Sequence, residues 1–142
     1  MKFWDSSALV PLLVEEATTD TVIEAYSKDP IVFTWWASEL ECASAIARLE
    51  RESALDARSA TEAFQRLRSL AASWNIVEPG AAAREGALRL LRVHPLTAAD
   101  SQQLAAAIIA AENRPSSLEF VTLDERLATA AEREGFPLLW LL

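Results

Sequence analysis

At 142 residues the chain is long enough to bury roughly two-thirds of the surface its unfolded form exposes, so one domain spanning 1–142 is expected. Its 51% hydrophobic content is broken everywhere by charges, with no run near the ~18 apolar residues of a membrane span, and a single cysteine, Cys42, excludes an internal disulfide. A net charge of −8 argues against passive nucleic-acid binding, which draws on Lys and Arg. It leaves room for an enzyme that meets phosphate through divalent metal, and for a basic protein partner.

The acid in Met1-Lys2-Phe3-Trp4-Asp5 comes too early for the apolar stretch of a signal peptide. Together with the lone cysteine, this predicts a reduced, cytoplasmic setting. Residues 2–5 read as a first strand. Ser6 and Ser7 open a helix carrying Ala8, Leu9, Leu12 and Leu13, and a second helix near 18–28 presents Val22, Ile23 and Tyr26 before Pro30. A strand follows at 31–35, then a helix of about 37–52. After Asp56 comes a helix of about 57–74, with the apolar stripe Ala60, Phe64, Leu67, Leu70, Ala71 and Trp74. Asn75-Ile76-Val77 is a short strand. Pro79-Gly80 turns the chain into a helix near 81–92, which His94-Pro95 breaks, leaving His94 in a solvated turn. Ala-rich 98–112 is another helix, 119–122 a strand, 124–134 a helix stopped by Gly135, and 138–141 a last strand. The alternation predicts βαβ units, hence an α/β fold with a mainly parallel sheet flanked by helices in three layers.

Four acids sit where predicted strands hand over to helices: Asp5, Glu41, Asp100 and Asp124. Parallel strands point their carboxyl ends the same way, so these side chains should converge on the crevice where ligands of open α/β sheets bind. Each has a structural explanation as well. Asp5 and Asp124 suit helix N-caps, Ser38-Glu39-Leu40-Glu41 has the spacing of a capping box, and Thr97-Ala98-Ala99-Asp100 is its aspartate analogue. Caps can equally be Ser, Thr, Asn or Gly, so a carboxylate at all four handovers exceeds what capping requires. Converging carboxylates call for a cation, and an oxygen-only set favours Mg²⁺ or Mn²⁺ over zinc, which recruits His or Cys. Cys42, inside a helix with no histidine beside it, reads as a small buried side chain, and three glycines form no phosphate-binding loop.

Asp5-Ser6-Ser7-Ala8-Leu9-Val10, Glu41 followed by Ala45 and Arg48, Asp100 with Leu104-Ala105 and Ala107, and Thr122-Leu123-Asp124-Glu125-Arg126-Leu127 with Ala130-Ala131 and Gly135 together resemble the PIN domain. The likeness is to the VapC type of toxin ribonuclease in particular, and it runs from end to end. It implies a three-layer PIN-like domain whose metal-binding, catalytic acids are Asp5, Glu41, Asp100 and Asp124, with Ser6, Ser7 and Thr122 as polar supports. It further implies a Mg²⁺- or Mn²⁺-dependent endoribonuclease acting on RNA, a small antitoxin with a basic C-terminal segment, and homodimerisation. Gln103 stands where many relatives carry His. Glu39 competes with Glu41 for the inward position. Glu41 is preferred because it lies seven residues, and so one helix face, from Arg48, which would flank the site and touch RNA phosphate or a partner.

Trp4, Trp74 and Trp140 are expected in the core. Trp35 and Trp36 adjoin the expected site, and packing is preferred there over base stacking. The apolar faces near 8–26 and 60–74 are candidate partner surfaces. Three other readings compete: a non-catalytic PIN-like scaffold or binding module, a stand-alone metal-dependent nuclease, and a receiver-like domain. The last expects a lysine on a late strand, whereas the two lysines here are Lys2 and Lys28.

Overall fold

The computed structural model describes residues 1–139. Short apolar runs pair as five parallel strands, β1 (Lys2–Trp4), β2 (Val32–Trp35), β3 (Asn75–Val77), β4 (Glu119–Val121) and β5 (Leu138–Leu139), in the order β3-β2-β1-β4-β5. Between them lie α1 (Ser6–Leu9), α2 (Thr19–Lys28), α3 (Ser38–Arg51), α4 (Ala57–Ala71), α5 (Ala81–Val93), α6 (Ala98–Ala110) and α7 (Glu125–Arg133). The remainder of the strand expected at 138–141, with Trp140, lies outside the described residues.

Successive strand residues point to opposite faces, and the core divides accordingly. Phe3, Trp35 and Phe120 enter one layer with Leu90, Leu104 and Leu127 of α5, α6 and α7. Trp4, Val32 and Val121 enter the other with Leu9, Val22, Ile46 and Leu67 of α1 to α4. Phe3 stacks on Phe120 with ring centroids 5.3 Å apart, and Phe120 meets Phe136 at 5.5 Å. Helices on both faces are what a parallel sheet requires, and they give the three layers.

Strand order places the functional edge. The chain lays β1, β2 and β3 outward in one direction, then returns to add β4 and β5 on the other side of β1. The connections leaving β1 and β4 therefore run to opposite faces, and a crevice opens between them at the strands' carboxyl ends. A receiver-type sheet has the order 2-1-3-4-5 instead. Lys2 lies on the first strand and pairs with Glu119 at 3.1 Å.

Several local expectations are corrected. The helix expected through Leu13 ends at Leu9 and tightens into a 3-10 turn at Val10–Leu12, because buried Pro11 has no N–H with which to continue the α-helical ladder. Helix α4 buries Ala60, Ala63 and Leu67, while Phe64 is turned outward, as is Ile23 on α2. His94 is buried, not solvated: its Nε2 lies 2.8 Å from Glu134, whose other carboxylate oxygen takes Arg89 at 2.6 Å. Gly135 does end α7, at φ 101°, where the Phe136 N–H closes on the Ala131 carbonyl. Among the described residues no helix is long and apolar enough to cross a membrane.

Candidate active site

Asp5 follows β1 directly and caps α1, its carboxylate accepting the Ser7 N–H at 3.3 Å. It is only 3% exposed. Across the crevice, the loop between β4 and α7 brings up the Thr122 hydroxyl and two backbone N–H groups, one for Thr122 itself and one for the Ser7 hydroxyl of α1. Ser7 Oγ accepts the Leu123 N–H at 2.9 Å, and Thr122 Oγ1 accepts the Asp124 N–H at 3.0 Å. Each hydroxyl keeps its own proton for Asp5, and both donate to Oδ2. Oδ1 is left toward Ser6 Oγ, 3.4 Å away. Burial raises the pKa of Asp5 against the lowering by these hydrogen bonds, and the charge of Asp100 raises it further.

The expected capping box at 38–41 does not form. Ala37 is the N-cap of α3, Ser38 is already inside the helix, and its hydroxyl is buried against Thr34 and Gln103. Glu41 is released from capping and faces the crevice instead. Its Oε1 accepts from Gln103 Nε2 at 2.7 Å, and its Oε2 lies 3.4 Å from Ser6 Oγ. Glu39 faces a different groove, between α3 and α4, so the register places Glu41 inward. Burial raises the pKa of Glu41, opposed by the bonds from Gln103 and Ser6 and reinforced by the charges of Asp5 and Asp100.

Asp100 and Asp124 serve both their helices and the cleft. Thr97 Oγ1 caps α6 by accepting the Asp100 N–H at 3.2 Å, while Asp124 caps α7 by accepting the Leu127 N–H at 3.0 Å on Oδ1. Capping uses one oxygen or none of these carboxylates, so it does not compete with a second role. Burial raises the pKa of Asp100; Asp124 pushes it the same way, while Thr97 and Arg126 oppose.

All four carboxylates line one open cleft of ≈ 440 Å³, together with Ser6, Ser7 and Arg48. Among the described residues none of the four is in an ion pair. Nor do any three His, Cys, Asp or Glu side chains among them stand close enough to chelate an ion as placed. The acids share a cleft without converging on a point. Its donors are oxygens alone: Cys42 is buried, and burial with the charges of Glu41, Asp5 and Glu39 pushes its thiol up to about 12. A negative, oxygen-only set fits Mg²⁺ or Mn²⁺ and does not fit zinc.

The sequence reading missed Glu16, a fifth carboxylate on the cleft wall, because it lies in a loop where no periodicity marks a facing side. It also missed the part of Gln103, although Gln103 stands three residues after Asp100 on one helix and so shares its side. Trp4, Trp35 and Trp74 are buried. Trp36 is 52% exposed and lines the groove between α3 and α4, away from the acids.

A family model described as PIN domain matches residues 2–133. The FitAcB structure from Neisseria gonorrhoeae is similar at a TM-score of 0.74 and 16% identity, covering 99% of this chain and 98% of that one. A toxin–antitoxin complex from Klebsiella pneumoniae gives 0.66 and 16%, covering 100% and 98%. VapC20 of Mycobacterium tuberculosis, a sarcin-ricin loop cleaving toxin, gives 0.65 and 17%, covering 96% of each chain. At such identities the likeness is one of fold. No curated protein matches the chain.

Proposed function

Since this chain belongs to the PIN domain family, we propose that it is a Mg²⁺- or Mn²⁺-dependent endoribonuclease and the toxin of a VapBC-type toxin–antitoxin pair. The observation that carries the reading is the cleft, which carboxylates from four separate chain segments line at the carboxyl edge of a parallel sheet. Asp5, Glu41, Asp100 and Asp124 would hold the ion. When bound, such an ion supplies charge neutralisation and water activation for phosphodiester hydrolysis.

The chain's own residues do the positioning. Ser7 and Thr122 hold one oxygen of Asp5 and so present the other, and Ser6 stands between Asp5 and Glu41. Arg48, exposed on the rim, offers a planar guanidinium that matches an RNA phosphate. A non-catalytic PIN-like module is the poorer reading, because it gives no reason for four acids to line one cleft.

The partner in this reading is a small antitoxin with a basic C-terminal segment, and the toxin pairs with a second copy of itself in the cytoplasm. A toxin–antitoxin complex among the similar folds supports the antitoxin. So do the net charge of −8 and a groove of ≈ 670 Å³ between α3 and α4, where Trp36, Leu40 and Phe64 are exposed. An arginine on the segment would bridge two carboxylates of the cleft. The purified chain is expected to cut RNA in Mg²⁺ and to stop in EDTA. Co-expression with the neighbouring small reading frame is expected to yield a complex in which cleavage is suppressed. Cleavage that persists in EDTA would overturn the metal dependence, and a chain that no such partner restrains would be a stand-alone nuclease.

A further inference from the structure

A buried polar chain ends on Glu41. Thr34 Oγ1 lies 2.8 Å from the Trp4 carbonyl oxygen and 2.8 Å from Ser38 Oγ. Ser38 Oγ lies 3.0 Å from Gln103 Nε2, which lies 2.7 Å from Glu41 Oε1. Thr34, Ser38 and Gln103 are all fully buried.

Counting protons gives the chain a single direction. A carbonyl only accepts, so the one Thr34 hydroxyl proton goes to Trp4. Ser38 must then donate to Thr34, and with its proton used it can only accept from Gln103. The 3.4 Å approach of Ser38 Oγ to Gln103 Oε1 therefore carries no hydrogen bond. Gln103 has to turn its amide nitrogen, not its oxygen, toward Ser38, and the second hydrogen on that nitrogen is aimed at Glu41.

We infer that Gln103 is a positioning residue for Glu41, held donor-first by the Thr34–Ser38 relay so that the carboxylate is fixed for a divalent cation in the cleft. This rests on the metal-dependent reading above. The relay joins β1, β2, α3 and α6, so the orientation of Glu41 is set by the sheet and not by its own helix alone. Methionine at 103 fills nearly the same volume without a donor, and Glu41 Oε1 then loses its charge-assisted bond.

The test is a Mn²⁺ titration by calorimetry on the wild type, Gln103→Met, Glu41→Gln and the double variant, with melting curves in EDTA. Gln103→Met is expected to weaken Mn²⁺ binding about tenfold or more, as loss of a ligand's hydrogen-bond partner does. In the Glu41→Gln background the same substitution is expected to change affinity less than about twofold, because Gln103 acts only through Glu41. Ser38→Ala, a milder change that keeps the test usable if Gln103→Met fails to fold, is expected to weaken binding with the same dependence on Glu41. Equal losses in both backgrounds, or a lowered melting temperature with unchanged Mn²⁺ affinity, would overturn the positioning role. If the wild type binds Mn²⁺ and Glu41→Gln binds it equally well, the metal assignment of Glu41 falls, and the role of Gln103 with it.

Discussion

Asp100→Asn is expected to lower RNA cleavage by at least about 10²-fold, more than the loss of a residue that merely supports a ligand, while the metal-free protein stays as stable as the wild type or becomes more so. Asp100 is half-buried, and its charge raises the pKa of both Asp5 and Glu41. Neutralising it relieves repulsion that folding has to overcome. The N-cap of α6 survives, because Thr97 accepts the backbone N–H of residue 100. The sequence treats Asp5 and Asp100 alike, but the structure separates them. Two hydroxyls donate to Asp5 Oδ2 while the Ser7 N–H approaches Oδ1, so an Asn there must turn its own N–H toward one donor. Asp5→Asn is therefore expected to lose cleavage and some stability together. A pure capping role for Asp100 would give the opposite pattern: a loss near ~1 kcal/mol with cleavage intact. Melting curves in EDTA beside single-turnover cleavage rates decide between them.

Saturating Mn²⁺ is expected to stabilise the protein strongly at neutral pH and progressively less on acidification. At one hundred times its dissociation constant a ligand adds about 2.7 kcal/mol, on the order of 10 °C in melting temperature for a chain of this size. The pH dependence follows from three shifts of one sign. Asp5, Glu41 and Asp100 all have folded pKa values raised above the ordinary 3.8 or 4.5, chiefly by burial. Each holds its proton more tightly folded than unfolded. Its contribution to stability is present below the ordinary values and is lost as pH rises through the raised ones. A cation competes with those protons, so its benefit grows across the same window. Glu134 and Asp29 have lowered values and give a slope of the other sign, which cancels when wild type and Asp100→Asn are compared at each pH. The difference in melting temperature in EDTA, variant minus wild type, is expected to be positive near neutrality, to shrink as pH falls through the raised value, and to vanish only below the ordinary 3.8.

The fold was legible because every strand is short and bounded by a helix signal, and because the central strands, covered on both faces, show as apolar pairs such as Phe3-Trp4 and Phe120-Val121. The acids were legible for a related reason: handovers are local, and parallel strands gather their ends. What the sequence hid was tertiary. Ser38 and Glu41 have capping-box spacing, and only the buried contacts of Ser38 with Thr34 and Gln103 show that the box is not made. Ala63 and Phe64 lie on adjoining parts of α4, and the packing of α3 against α4 buries the smaller and leaves the larger at the groove. His94 looks solvated beside Pro95 because nothing local announces Glu134, forty residues on.

Anomalous scattering from crystals grown with Mn²⁺ locates the ion and so decides whether Asp5, Glu41, Asp100 and Asp124 form one divalent-cation site. Density is expected in the cleft with carboxylate oxygens of these residues at about 2.0–2.6 Å, Glu41 among them and Glu39 absent. Ordered Mn²⁺ held elsewhere in a protein that cleaves RNA, with this cleft lacking it, would show that these four acids are not the metal site.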